Sequence, residues 1–165
     1  MEIKKIDIKK IFKQFDRLDT SFIDASSMIY LKRINLLGCL SNNLKLFSIN
    51  EILNETGFNN PAIEIYKHDI NENTSNDEKL VICSIREKLP IITEDKKVLN
   101  LAKKAKIEYY NSLMILNYLL YKDFINVLQY DLNYNHLIGY AWYSKKVIEY
   151  GKLIYKKIIL QKDRL

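Results

Sequence analysis

Glycine and proline are scarce in this chain, four and two residues in 165, which leaves no material for a flexible linker or a low-complexity segment. Cysteine is scarcer than a disulfide framework needs: Cys39 and Cys83 sit among apolar residues without CxxC spacing and read as buried thiols of a reducing compartment. No apolar run approaches the roughly 18 to 20 residues that span a bilayer. The richest, Leu113 to Leu120, is short and broken by Asn117. The amino terminus carries Lys4, Lys5, Lys9 and Lys10 but no signal-peptide pattern, so a cytoplasmic protein with no membrane contact is expected. Also missing are a glycine-rich phosphate loop, a GxSxG elbow and an HExxH helix, and His68 and His136 are too few for a histidine metal site.

What is present suits one packed domain. Hydrophobic residues make up 48% of the chain, and 26 Lys and Arg against 20 Asp and Glu give a net charge of +6, which admits a polyanionic partner. Ile3, Ile8, Ile11, Phe12 and Phe15 recur at helical spacing and predict an amphipathic first helix, packed on the sheet or serving as a basic arm. Apolar runs at Phe22-Ile23, Leu44 to Ile49, Pro90 to Thr93 and Ile107 to Tyr110, with a weaker edge candidate at Ala62 to Tyr66, predict strands. Helical stretches alternate with them, which predicts an α/β fold with a mostly parallel central sheet flanked by helices. Leu80, Val81, Ser84 and Ile85 form the inward stripe of one of those helices. From Phe124 onward no strand is expected. Ser144 caps a long final helix with an apolar stripe through Val147, Ile148, Gly151, Ile154, Tyr155, Ile158 and Ile159, and with lysines at 145, 146, 152, 156 and 157. That helix reads as a cover for the sheet, a dimer or partner surface, or a basic rim for RNA, with Tyr140, Trp142 and Tyr143 as stacking candidates.

Four acids recur where strands end and helices begin: Asp24, Glu55, Asp77 and Asp95. In an open parallel sheet the ligand crevice lies beyond the carboxyl ends of the strands, so these positions converge on a site. Asp77 precedes Leu80 and Val81 by three and four residues and is expected beneath a buried face, where an isolated carboxylate is costly. Carboxylates about 6 Å apart repel by roughly 3 kcal/mol per pair at an effective dielectric near 20. Such a cluster binds cations, spreads out or takes up protons, and an oxygen-only set suits magnesium or manganese. Each acid also has a plain structural role open to it, as a helix cap or a first-turn charge.

The order and context of these residues resemble a PIN-domain nuclease. The strand into Phe22-Ile23-Asp24-Ala25-Ser26-Ser27 comes first, then an acid in the short helix Asn50-Glu51-Ile52-Leu53-Asn54-Glu55. Asn76-Asp77-Glu78-Lys79-Leu80 opens the next helix, and Thr93-Glu94-Asp95-Lys96-Lys97 follows a strand, ahead of Tyr110-Asn111-Ser112. The resemblance covers residues 20–121 and implies a three-layer α/β/α core, while the helical extension over 1–19 and the helical tail over 122–165 of the expected single domain depart from the compact toxins of that family. It implies metal-dependent endonucleolytic cleavage of RNA, with Asp24, Asp77, Asp95 and Glu55 holding magnesium or manganese. Glu51, one turn before Glu55, is open as the holder of that second position. Ser26 would orient a carboxylate or a metal-bound water. The family includes VapC-type toxins, so an RNA substrate and a small antitoxin protein are the implied partners, and a homodimer is the partner that the final helix admits. A non-catalytic RNA-binding or scaffold protein of PIN-like shape is the alternative. A phosphatase of the haloacid-dehalogenase type is disfavoured because Ser26 stands where it needs a second acid.

Overall fold

The computed structural model describes residues 7–57 and 60–163, so Ile3, Lys4 and Lys5 lie outside the described residues. The chain forms two compact units, Asp19–Ile115 and the pair Met1–Leu18 with Leu116–Leu165, called here the sheet unit and the helical unit.

The sheet unit is a parallel α/β layer structure. Its elements run β1 (Thr20–Ile23), α2 (Ala25–Arg33), α3 (Leu37–Asn43), β2 (Lys45–Ser48), α4 (Asn50–Thr56), β3 (Ile63–Ile65), α5 (Asn76–Glu87), β4 (Ile91–Ile92), α6 (Lys96–Lys104) and β5 (Tyr109–Tyr110). The strands lie in the order β3-β2-β1-β4-β5, each pair parallel, with Phe22 opposite both Phe47 and Ile91. Phe22, Ile23, Ile91 and Ile92 are fully buried because a parallel strand between helices has no wet face. Polar residues inside the sheet are satisfied locally: Ser21 Oγ donates to the Pro90 carbonyl at 3.0 Å and Ser48 Oγ to the Ile23 carbonyl at 2.8 Å. The pairing runs past the short strands, since Asp24 N–H donates to the Ile92 carbonyl at 3.0 Å and Thr93 N–H to the Tyr110 carbonyl at 2.9 Å.

Helix ends follow local chemistry. Gly57 closes α4 in the left-handed region at φ 65°, where a side chain would be strained. Ser75 and Glu78 form a reciprocal capping box that fixes where α5 begins and thereby puts Asp77 in its first turn. The inward face of α5 differs from the predicted stripe. Ile85 is 43% exposed, while Lys79 and Cys83 are buried beside Leu80, Val81 and Ser84. The ion pair made by Lys79 turns that position inward, which the apolar spacing alone did not reveal.

The helical unit holds α1 (Ile8–Arg17), α7 (Ser112–Tyr121) from Leu116 on, α8 (Val127–Tyr140) and α9 (Lys145–Lys162). The aromatic face of α1 meets α7: Phe12 stacks on Tyr121 at 4.8 Å, and Phe15 meets Tyr118 edge-on at 5.7 Å. Tyr118 is buried and its hydroxyl donates to the Leu18 carbonyl at 3.0 Å. Ser144 caps α9, whose buried positions are Gly151, Ile154 and Ile158, and the other members of its predicted stripe are half-buried. Among the described residues no helix is long and apolar enough to cross a membrane. Both cysteines are free thiols, Cys83 buried and Cys39 only half-buried.

Candidate functional site

The strand order reverses between β1 and β4, and at such a switch point the helices leave the two strands in opposite directions and open a crevice at their carboxyl ends. The residues that follow those two strands are Asp24 and Thr93 to Asp95.

Asp24 caps α2 and is 3% exposed. Its Oδ1 accepts from Ser27 N–H at 2.8 Å, both oxygens lie 3.0 Å from Ser26 Oγ, and Oδ2 accepts from the Thr93 hydroxyl. Burial pushes its carboxyl above the ordinary aspartate range, and the hydrogen bonds from Thr93, Ser27 and Ser26 oppose that push. Thr93 ties the two strand ends together, because its Oγ1 also accepts Asp95 N–H at 3.1 Å. Asp95 caps α6, accepting from the N–H groups of Lys97 at 2.6 Å and Val98 at 3.2 Å.

Asp77 is half-buried in the first turn of α5. Its carboxyl is raised first by burial, then by the negative charge of Asp95 and further by Glu55 and Glu78, while the Lys97 ammonium opposes them. Three acids from α4, α5 and the start of α6 thus share one electrostatic neighbourhood. Glu55 accepts a 2.5 Å hydrogen bond from Asn76 Nδ2, which holds it beside the α5 amino terminus.

Glu51 belongs to a different cluster. It accepts from Lys79 Nζ at 2.9 Å and lies 3.2 Å from His68 Nε2. His68 Nδ1 accepts Ile70 N–H at 3.2 Å, so the ring proton sits on Nε2 and is donated to Glu51. The Lys79 ammonium holds the Glu51 carboxyl down to about 2, and Lys79 itself is 5% exposed. One turn therefore separates an acid committed to a buried lysine from an acid that faces Asp77.

The structure brings Asp77 into charge range of both Asp95 and Glu55, and links Asp24 and Ser26 to Asp95 through Thr93. It does not preassemble a coordinating set: among the described residues no group of three or more His, Cys, Asp or Glu has the spacing to hold a metal ion. Both oxygens of Asp24 are already occupied by protein donors. Carboxylate oxygens are the donors a hard divalent cation takes, but the described side chains do not place three of them together around one point.

The linking residue Thr93 was legible only as part of the Thr93-Glu94-Asp95 turn, and Lys79 and His68 gave no signal at all. Glu94 also joins the crevice, its Oε1 accepting Ser112 N–H at 2.5 Å at the start of α7. The Ser112 hydroxyl beside it is buried without a hydrogen-bond partner. Compared with protein-family models, with curated proteins and with solved structures, the chain matches none.

Proposed function

We propose that the chain is a metal-dependent endoribonuclease whose site is the crevice between β1 and β4, with Asp77, Asp95, Glu55 and Asp24 as its acids. The observation that carries this reading is the raised Asp77 carboxyl, flanked by the charges of Asp95 and Glu55 at the carboxyl edge of a parallel sheet. Such a group of like charges is more stable with a bound cation than without one. Magnesium or manganese held there would supply the positive charge that phosphodiester hydrolysis needs at the attacked phosphate. Asp77, Asp95 and Glu55 would hold the ion, and Asp24 would join them by releasing its hold on Ser26. Thr93 and Ser26 orient the Asp24 carboxylate, and the Asn76 amide orients Glu55. The two free thiols suit the reducing cytoplasm.

Manganese-dependent cleavage of a mixed RNA pool tests the reading. Wild type is expected to cut, and Asp24→Asn and Asp77→Asn to lose cleavage; equal activity in all three would discard the site. A toxin role, with a small antitoxin protein that silences cleavage, belongs to the same proposal and is tested by growth arrest on expression of the intact chain but not of Asp77→Asn.

A second reading has its own support. The Asp24 carboxylate is fully engaged by protein donors, as a capping residue's would be. A chain that binds RNA without cleaving it, as a scaffold or as one face of a homodimer, would show no heat on titration with manganese, whereas the nuclease reading requires it.

A further inference from the structure

The groove between α8 and α9 combines features that the acid crevice does not explain. It has a volume of about 210 Å³ and is lined by Tyr130, Asp131, Tyr134, Lys152, Tyr155 and Lys156. The Tyr130 ring lies nearly parallel to two neighbours, Tyr155 at 4.5 Å and 18°, and Tyr134 at 6.0 Å and 14°. Tyr130 is buried and donates its hydroxyl to Asn117 Oδ1 at 3.3 Å, which fixes the stack. Tyr134 and Tyr155 are half-buried, so each keeps ring surface toward the groove. Burial raises all three phenols, which leaves them neutral. Lys152 and Lys156 stand one turn apart on α9, both exposed and without an ion-pair partner among the described residues.

A flat aromatic floor beside paired ammonium groups suits a ligand with a π-face next to a negative charge. The cavity is below the roughly 300 to 1,000 Å³ of a pocket built for a whole small molecule, and therefore suits one unit of a longer strand. The charge agrees: the helical unit carries 14 Lys and Arg against 7 Asp and Glu, the sheet unit 12 against 13. Asp131 on the rim repels phosphate and accepts the amino edge of a base.

We propose that this groove grips one nucleotide of a single-stranded polynucleotide, the base laid on the tyrosine stack and a flanking phosphate held by Lys152 and Lys156. This deepens the ribonuclease reading by naming where a strand is held. It is tested by anisotropy of a labelled single-stranded RNA of about twelve nucleotides on the full chain, with divalent ions chelated. Tyr155→Leu is expected to weaken binding about tenfold, and Tyr155→Phe, which keeps the ring, to restore it. Lys152→Ala with Lys156→Ala is expected to weaken binding and lower the salt slope by about 1.4, and both sites are exposed enough for that variant to fold. Adenosine monophosphate competing as well as the strand would identify a free nucleotide as the occupant; weak competition would identify the strand. Wild-type binding in both the leucine and the double-alanine chains overturns the proposal. So do crosslinks from thiouridine-bearing RNA that map outside α8 and α9. Loss of a dimer in those variants by sedimentation would make the groove a protein interface, and the proposal falls. Chelation separates binding from cleavage, so a chain that grips RNA through this groove yet does not cleave it once manganese is restored sinks the ribonuclease reading alone.

Discussion

The two units of this chain divide its charge in opposite ways. The sheet unit is nearly neutral, with 12 basic residues against 13 acidic, and it confines acids at the ends of its strands. The helical unit has a surplus of seven positive charges and most of the stacked tyrosines. The net charge of +6 is thus the sum of two unlike units. Global charge alone suggests a generally basic protein, whereas the unit-by-unit count separates a nearly neutral region from a strongly basic one.

The comparison is broken most directly at Asp24. Asparagine caps a helix as well as aspartate, so Asp24→Asn keeps the Ser27 N–H bond, and relief of a buried charge holds stability level or raises it. A nuclease built on this acid is expected to lose about a thousandfold in cleavage, near 4 kcal/mol of barrier, in single-turnover assays. Unaltered cleavage together with unaltered stability would reduce Asp24 to a cap.

Glu51 and Glu55 supply the next contrast, within the sheet unit itself. Glu51→Gln strands the buried Lys79 ammonium and is expected to cost about 3 kcal/mol in urea denaturation, the low end for a buried pair because the carboxylate is 32% exposed. Glu55→Gln leaves no buried cation behind, so stability is expected to hold while cleavage falls. The pH dependence follows the same division. The Glu51 carboxyl is lowered to about 2 from 4.5, so its contribution is present above pH 4.5 and lost as pH falls toward 2. Asp24 and Asp77 are raised, so the folded chain binds their protons more tightly and gains from them as pH falls toward 3.8.

A smaller effect is expected from divalent ions. If Asp77, Asp95 and Glu55 repel one another, millimolar manganese stabilises the wild type by about 1 to 2 kcal/mol, read as a rise in melting temperature of several degrees. Asp77→Asn is expected to melt slightly higher than wild type without metal and to show little further rise with it. An equal rise in both chains would place the cation elsewhere.

The alternation of apolar runs with helical stretches was enough to predict the α/β fold, because a buried parallel strand leaves an uninterrupted apolar signature such as Pro90 to Thr93. Strand ends were overstated there, since β4 covers only Ile91–Ile92 while its flanking groups still pair. Caps were readable one residue at a time, as at Ser144, where the side chain acts locally. The pairing of Glu51 with Lys79, 28 residues apart in sequence, was not readable, because a lysine on a helix looks solvated until its partner is placed. For the same reason the apolar spacing points Ile85 inward while the fold leaves it exposed. The different partners of Glu51 and Glu55 are likewise a tertiary property, since both residues share one helix face.

The least effect is expected at Trp142, the stacking candidate between α8 and α9, whose ring the structure leaves bare. A lone tryptophan in a 48% hydrophobic chain would ordinarily anchor a core, yet this one is 97% exposed. Its ring has almost no burial to lose, so Trp142→Ser is expected to change stability by less than about 0.5 kcal/mol. The same substitution is expected to weaken single-stranded RNA binding about fivefold if the basic, aromatic character of the helical unit extends beyond the α8–α9 groove. Melting and anisotropy on the one variant separate the outcomes. A drop in melting temperature would show that the indole is covered by protein in solution, and unchanged binding would confine the strand contact to the tyrosines.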